Sequence, residues 1–140
     1  MKRVIYIGFL AVMLSIMAFM GVRAGHENGQ TINVIMKTSS GDITLALYAK
    51  KAPVTVENFM KYVDGEYYKN GNFYRVVRSD NQAQNNIKIG VIQGGRGMDA
   101  QEPPFESIPH ETTHETGILH KDGVISMARL APGTASSEFF

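Results

Sequence analysis

An arginine stands in the middle of a run that otherwise reads as a half-buried strand, Phe73-Tyr74-Arg75-Val76-Val77. In strict alternation Phe73, Arg75 and Val77 share one face, and Tyr74 and Val76 share the other. A guanidinium so placed has two readings. Its stem covers apolar surface at a strand edge, or it is held in a cleft with its N–H groups aimed at a ligand carbonyl. The next apolar run, Ile87–Ile92, closes on Gln93-Gly94-Gly95. A strand ending in a glycine turn accounts for that triplet. So does a ligand backbone that approaches the glycines while the Gln93 amide hydrogen-bonds to it.

Other groups with chemical potential carry less. Gly94-Gly95-Arg96-Gly97 lacks the spacing and the lysine of a phosphate-binding loop. His110 and His114 have the i,i+4 spacing that binds zinc on a helix, with Glu111, Glu115 and His120 close in sequence. Pro109 and the threonines among them favour a solvated loop instead. Ser136 and Ser137 lack the G-x-S-x-G context of a hydrolase nucleophile. None of these residues calls for a metal or a cofactor.

The elements that position Arg75 and Gln93 follow from periodicity. Thr31–Thr38 is rich in β-branched residues, Ser39–Asp42 is turn chemistry, and Ile43–Tyr48 alternates with period two, so the three predict a hairpin. Pro53 suits a helix start. Val56, Phe59, Met60 and Val63 then form one apolar face of a helix over 53–64, ended by Gly65 in the left-handed region. Phe73–Val77 and Ile87–Gln93 are two further strands, joined by a polar, amide-rich loop. Residues 98–120 read as mostly irregular, and Val124–Ala128 as another strand after the Asp122-Gly123 turn. The tally, four or five strands with one helix, predicts a mainly β domain, a small barrel or sandwich. Phe139-Phe140, at the end of the sequence, would expose much apolar surface if uncovered.

The chain has 140 residues, no cysteine and no tryptophan, and a formal net charge of +1. Lys2-Arg3, the apolar run Val4–Val22 and Val22-Arg23-Ala24 form the pattern of a secretory signal peptide over 1–24. The length of the run also admits an uncleaved membrane anchor. Residues 25–30 read as a short linker, and 31–140 as the domain. Residues 1–24 hold Lys2, Arg3 and Arg23 but no acid, so the 14 basic residues fall to 11 against 13 acids, a net charge of −2. A mildly acidic surface argues against nucleic acid or anionic membrane as the main partner. The lack of cysteine excludes disulfides and a thiol nucleophile.

Taken in order, four motifs are more specific than any one of them. Phe73-Tyr74-Arg75-Val76-Val77 stands for F-H-R-V-[IV], and Gln93-Gly94-Gly95 for Q-G-G. Gly123 to Ala128 stands for G-x-[IVL]-[SA]-M-A, and Ser137 to Phe140 for S-x-F-F. Over residues 32–140 the sequence resembles the cyclophilin family of peptidyl-prolyl cis–trans isomerases, and specifically its exported bacterial members. There are departures. Tyr74 stands where histidine is usual, Arg129 where asparagine is usual and Glu138 where glutamine is usual. The loop 78–90 is about ten residues longer than the family's usual link, and the aromatic before the Q-G-G strand is missing. The family also continues past the F-F pair with more strands and a second helix. The expectation is therefore an antiparallel barrel capped by a helix and left incomplete, poorly folded and weakly active by itself.

The resemblance implies rotation of X–Pro peptide bonds, with no cofactor and no metal. It gives Arg75 the catalytic electrostatic role and Gln93 the task of orienting Arg75 and holding the substrate carbonyl. Phe73, Val91, Met127 and Phe140 are implied to form or support the pocket for the proline ring. Ala128, Arg129 and Glu138 are implied to line the substrate groove. The implied partners are proline-containing polypeptides met by a monomer outside the cytoplasm, periplasmic or secreted, with no membrane attachment after signal cleavage. A non-catalytic proline-peptide-binding or chaperone-like module, and an inactive fragment, are the alternatives.

Overall fold

The computed structural model describes residues 31–97 and 99–140. The signal peptide and linker expected over 1–30 lie outside the described residues. Strands β1 (Thr31–Thr38) and β2 (Gly41–Tyr48) form an unbroken antiparallel hairpin, from Thr31 opposite Tyr48 to Thr38 opposite Gly41. Ser39 and Ser40 make the turn. Thr38 Oγ1 accepts from the Ser40 N–H at 3.1 Å and donates to the Gly41 carbonyl at 2.6 Å, while Gly41 takes φ +125°, which a side chain would strain. Alternation places Ile32, Val34, Met36, Leu45 and Leu47 on the inner face, against the core.

Helix α1 (Pro53–Asp64) lies on that face with Pro53 in its first turn. It buries Val56 and Phe59, as the sequence predicts, but also Asn58 and Tyr62. Met60 and Val63 are only half-buried. Asn58 has a polar partner inside, whereas Tyr62 is held by its ring and its buried hydroxyl has no hydrogen-bond partner. The Asn58 amide donates to the Ser136 carbonyl at 2.6 Å, and Tyr62 packs edge-on against Phe105 with ring centroids 5.0 Å apart. Gly65 ends α1 at φ −82°, not in the left-handed region as expected; Glu66 takes the left-handed turn at φ +56°. Gly65 is needed for space, since a Cβ there would fall 2.5 Å from the Tyr67 ring.

The N-terminus of α1 is capped from a distance. Ala52 offers no side-chain acceptor, and the Glu111 carboxylate supplies one instead, accepting from the N–H groups of Val54 at 3.1 Å and Thr55 at 2.7 Å. Glu111 comes from the segment expected to be irregular. That segment also contains a one-turn helix, α2 (Thr113–Thr116), held by a capping box between Thr112 and Glu115. Among the described residues no three His, Asp or Glu are placed to hold a metal, and none of the helices is long and apolar enough to cross a membrane.

The second sheet begins with β3 (Asn72–Val77) and β4 (Val91–Gly95), again antiparallel. Phe139 bridges to Gly94 on one side and to Met127 on the other. Paired hydrogen bonds of 2.9 Å join Gly94 with Phe139 and Ser126 with Phe140, and the Ala128 N–H donates to the Glu138 carbonyl at 2.7 Å. The expected strand Val124–Ala128 is thus reduced to a short ladder against 138–140. Phe139 is not left exposed. It is 6% accessible, with its ring 5.9 Å from Phe59, 5.5 Å from Tyr68 and 6.1 Å from Phe73. The result is a mainly β domain capped by one helix, and its sheets do not close into a barrel among the described residues.

Candidate active site

Regular alternation between β3 and β4 is broken by a bulge. Phe73 opposes Gly94 and Arg75 opposes Gln93, so Tyr74 is the extra residue. The bulge separates two residues that strict alternation puts on one face. Phe73 packs its ring on Phe139 while staying 37% accessible, and Arg75 is exposed on the other face. Phe73 therefore supports the site from beneath and does not stand beside the guanidinium. The bulge also lets two consecutive side chains reach one partner. Arg75 Nη1 donates to Gln93 Oε1 at 3.0 Å, and Gln93 Nε2 donates to Tyr74 Oη at 2.9 Å.

The antiparallel bridge of Gly94 to Phe139 puts Phe140 opposite Gln93 and Glu138 opposite Gly95. Residues directly opposite in a sheet share a face. Arg75, Gln93 and Phe140 therefore form one row, and Glu138 and Ala128 belong to a row on the same face two residues along. Val91, paired with Val77, extends that face in the other direction. Of the residues implied for the site, Arg75, Gln93, Val91, Phe140, Ala128 and Glu138 come together on this face. Met127 falls in the inner row with Phe73 and packs against the core.

Glycine is required where Glu138 crosses β4. The Glu138 carboxylate comes within 2.5 Å of where a Gly95 Cβ would stand, and Gly95 adopts φ +152°. Glu138 Oε1 accepts from the Arg96 N–H and from Ser137 Oγ, both at 3.1 Å. Its Oε2 is buried and has no hydrogen-bond partner. Burial pushes the Tyr74 phenol above its ordinary pKa, and the Glu138 carboxylate pushes it further; Gln93 and Arg75 oppose the shift.

A cavity of about 380 Å³ adjoins this face and reaches the start of α1. Phe140, Met127 and Arg129 line it with Ile108, Pro109 and His120, and the His120 ring stacks on Phe140 at 6.0 Å. Arg75 and Gln93 do not line it, so the implied site is divided: Arg129 and Met127 open onto the cavity and Arg75 onto solvent. The loop 78–90 is ordered around Gln82. The Gln82 amide donates to the carbonyls of Arg78 at 2.8 Å and Ile89 at 2.5 Å, and its oxygen accepts from the Ile89 N–H at 3.2 Å. This staple replaces the first half of the strand expected over Ile87–Gln93. Sequence reasoning missed Tyr74 as a site residue. The signal for it was present, since a strand with both an arginine and a tyrosine before paired valines can present both only if it bulges.

Comparison with known proteins identifies the family. Residues 33–140 match the model of the cyclophilin type peptidyl-prolyl cis-trans isomerase family. The chain is 29% identical over 132 residues to peptidyl-prolyl cis-trans isomerase A of Dickeya dadantii, covering 94% of this chain and 64% of that protein. It is 33% identical over 114 residues to the human peptidyl-prolyl cis-trans isomerase-like 1, covering 81% of this chain and 64% of the relative. It is 35% identical over 108 residues to peptidyl-prolyl cis-trans isomerase ppi1 of Schizosaccharomyces pombe, covering 77% and 65% respectively. The chain thus spans less than two thirds of each of these relatives. With the four motifs carried on a bulged hairpin and its neighbouring strand, and with a family match over most of its length, this chain belongs to the cyclophilin-type peptidyl-prolyl cis–trans isomerase family.

Proposed function

We propose that this chain accelerates rotation about X–Pro peptide bonds in exported polypeptides, with Arg75 as the catalytic group. The observation that carries the proposal is the guanidinium held at 3.0 Å by Gln93 on an open sheet face. The uncatalysed barrier is about 18–20 kcal/mol because the amide is resonance-stabilised. At the twisted transition state the prolyl nitrogen loses conjugation and gains a lone pair. A guanidinium N–H bonds to that lone pair far better than to a planar amide, so the interaction favours the transition state. Arg75 keeps several free donors after Gln93 takes one. Phe140, in the row of Arg75 and Gln93, and Val91 on the same face supply apolar surface for the proline ring. Ala128 and Glu138 flank the path of the bound backbone.

The export assignment rests on the basic start, the apolar run and the Val22-x-Ala24 pattern. It places the protein in the periplasm or outside the cell, acting as a monomer on proline-containing clients. A proteolysis-coupled isomerisation assay on a short X–Pro peptide tests the activity. We expect a first-order rate that rises linearly with protein concentration. NMR exchange spectroscopy on the same peptide separates binding from turnover. Shifted peptide resonances without cis–trans exchange cross-peaks would replace the isomerase with a binding module.

A further inference from the structure

One polar side chain on this face is unused by the mechanism above, and one buried oxygen on it is unsatisfied. The Tyr74 hydroxyl accepts from Gln93 Nε2 at 2.9 Å, and its own proton has no acceptor among its hydrogen bonds. Glu138 Oε2 is buried without a donor. The two groups lie on one face: Glu138 stands opposite Gly95 with its carboxylate over that glycine, two residues along β4 from the Gln93 side chain that holds Tyr74, and its charge raises the Tyr74 phenol's pKa. A buried carboxylate oxygen without a donor is costly, so adjacent leftovers of opposite kind are expected to pair.

We propose that Tyr74 and Glu138 are positioning residues for Arg75. In this relay Arg75 donates to Gln93, Gln93 donates to Tyr74, and Tyr74 donates to Glu138. The direction follows from the ends. A guanidinium only donates and a carboxylate only accepts, so every bond between them points the same way. That polarity fixes the Gln93 amide. With Nε2 committed to Tyr74, Oε1 must face Arg75, and the guanidinium is held where the substrate amide twists. Glu138 is itself fixed by the Arg96 N–H and by Ser137, and Gly95 leaves the space it occupies. Tyr74 reaches the chain because the bulge places it beside Arg75.

The inference rests on the isomerase reading for its catalytic meaning, but its geometry is tested without turnover. In the unmodified 140-residue chain, the Gln93 side-chain amide protons should show nuclear Overhauser effects to the Tyr74 ring. Their absence overturns the relay. Tyr74→Phe keeps the ring and removes the hydroxyl. It should shift the side-chain resonances of Gln93 and, through Gln93, those of the Arg75 guanidinium, although no hydrogen bond joins the Arg75 and Tyr74 side chains directly. Glu138→Leu breaks the chain from the other end and should move the same resonances. Unmoved Arg75 resonances in folded protein overturn the proposal, and if either variant loses the fold the other variant and the unmodified chain decide. In the isomerisation assay, Tyr74→Phe should lower kcat about five- to tenfold, the size of one lost hydrogen bond, with KM within twofold. The double variant should be no worse than the poorer single variant, whereas multiplied losses would mean two independent groups. If the unmodified chain shows no turnover, only the isomerase reading fails, and the resonances still decide the relay.

Discussion

The two hairpins of this molecule use similar residues and divide its work. β1 and β2 pair eight residues with eight across a two-residue turn. Their inner face is continuous, and α1 covers it. β3 and β4 make five pairs, interrupted by the Tyr74 bulge and joined by residues 78–90. Closing that 13-residue loop in place of a two-residue one costs roughly 1.5–2 kcal/mol more in entropy. The Gln82 staple offsets part of that. The inner face of this hairpin is also less covered, with Val76 50% and Ile92 48% accessible. Regular pairing fixes the face that each side chain takes, which leaves no freedom to aim one. The irregular hairpin gives up pairing and cover, and in return it presents Tyr74 and Arg75 together. Support comes from the regular hairpin and the helix, and the proposed chemistry from the irregular one.

The change expected to be largest strikes the joint between the two regions. Phe139 pairs with β4 through its backbone and packs its ring on Phe59 of α1. Phe139→Ala should cost about 3–5 kcal/mol, a large part of the roughly 5–15 kcal/mol that small domains possess. Urea unfolding followed by circular dichroism measures it, and a loss below 1 kcal/mol would mean the two sheets are not coupled through this ring. Arg75→Ala strikes only the irregular hairpin. It should lower kcat/KM by about 10²–10³, the effect of losing one preorganised donor, with the urea midpoint almost unchanged because Arg75 is exposed. Activity within threefold of the unmodified chain would remove Arg75 from its role.

The same division explains what the sequence made legible. Periodicity carried β1, β2 and α1, because each has one clean apolar face and Pro53, Ser39 and Ser40 mark their ends. It misplaced Phe73 relative to Arg75, because a bulge changes facing without changing composition. It extended β4 back to Ile87, whose apolar side chain is 82% accessible, because the hub that holds that stretch is a glutamine five residues earlier. Asn58 and Tyr62 were unreadable as core for a related reason. Their burial depends on Ser136 and Phe105, partners more than 40 positions away. The motifs pointed to Arg75 and Gln93 through a family resemblance, but Tyr74, which hydrogen-bonds to Gln93, stands at a departure from the motif.

A smaller effect is expected at the helix start, on the regular side. Glu111 satisfies two N–H groups of α1 that Ala52 cannot, and a carboxylate there also suits the helix dipole. Glu111→Ala should cost about 1–2 kcal/mol by urea unfolding, the value of a lost cap. Amide exchange should quicken at Val54 and Thr55 before it does in β3 or β4. Equal quickening in both hairpins would mean that α1 supports the irregular one as directly as the regular one.

The smallest effect separates the hairpins by pH. Burial, then Glu138, raises the Tyr74 phenol above 10, and burial raises Tyr68, in the aromatic core, more strongly still. A phenol whose folded pKa exceeds its unfolded value favours the folded state while neutral. Its contribution is complete below about pH 10 and is lost as pH rises through the folded pKa. Absorbance at 295 nm of native protein should therefore show Tyr74 ionising above pH 10, identified as the step missing from Tyr74→Phe. Stability of the unmodified chain should fall more between pH 9 and pH 11 than that of Tyr74→Phe, because the variant has one fewer phenol held neutral. Tyr68→Phe should remove a later step and forfeit the hydrogen bond to the Ser137 carbonyl at 2.8 Å, so its cost should be present at pH 7 as well. If the Tyr74 step lies at or below pH 10, Glu138 does not act on the phenol and the irregular hairpin is more open to water than its geometry implies.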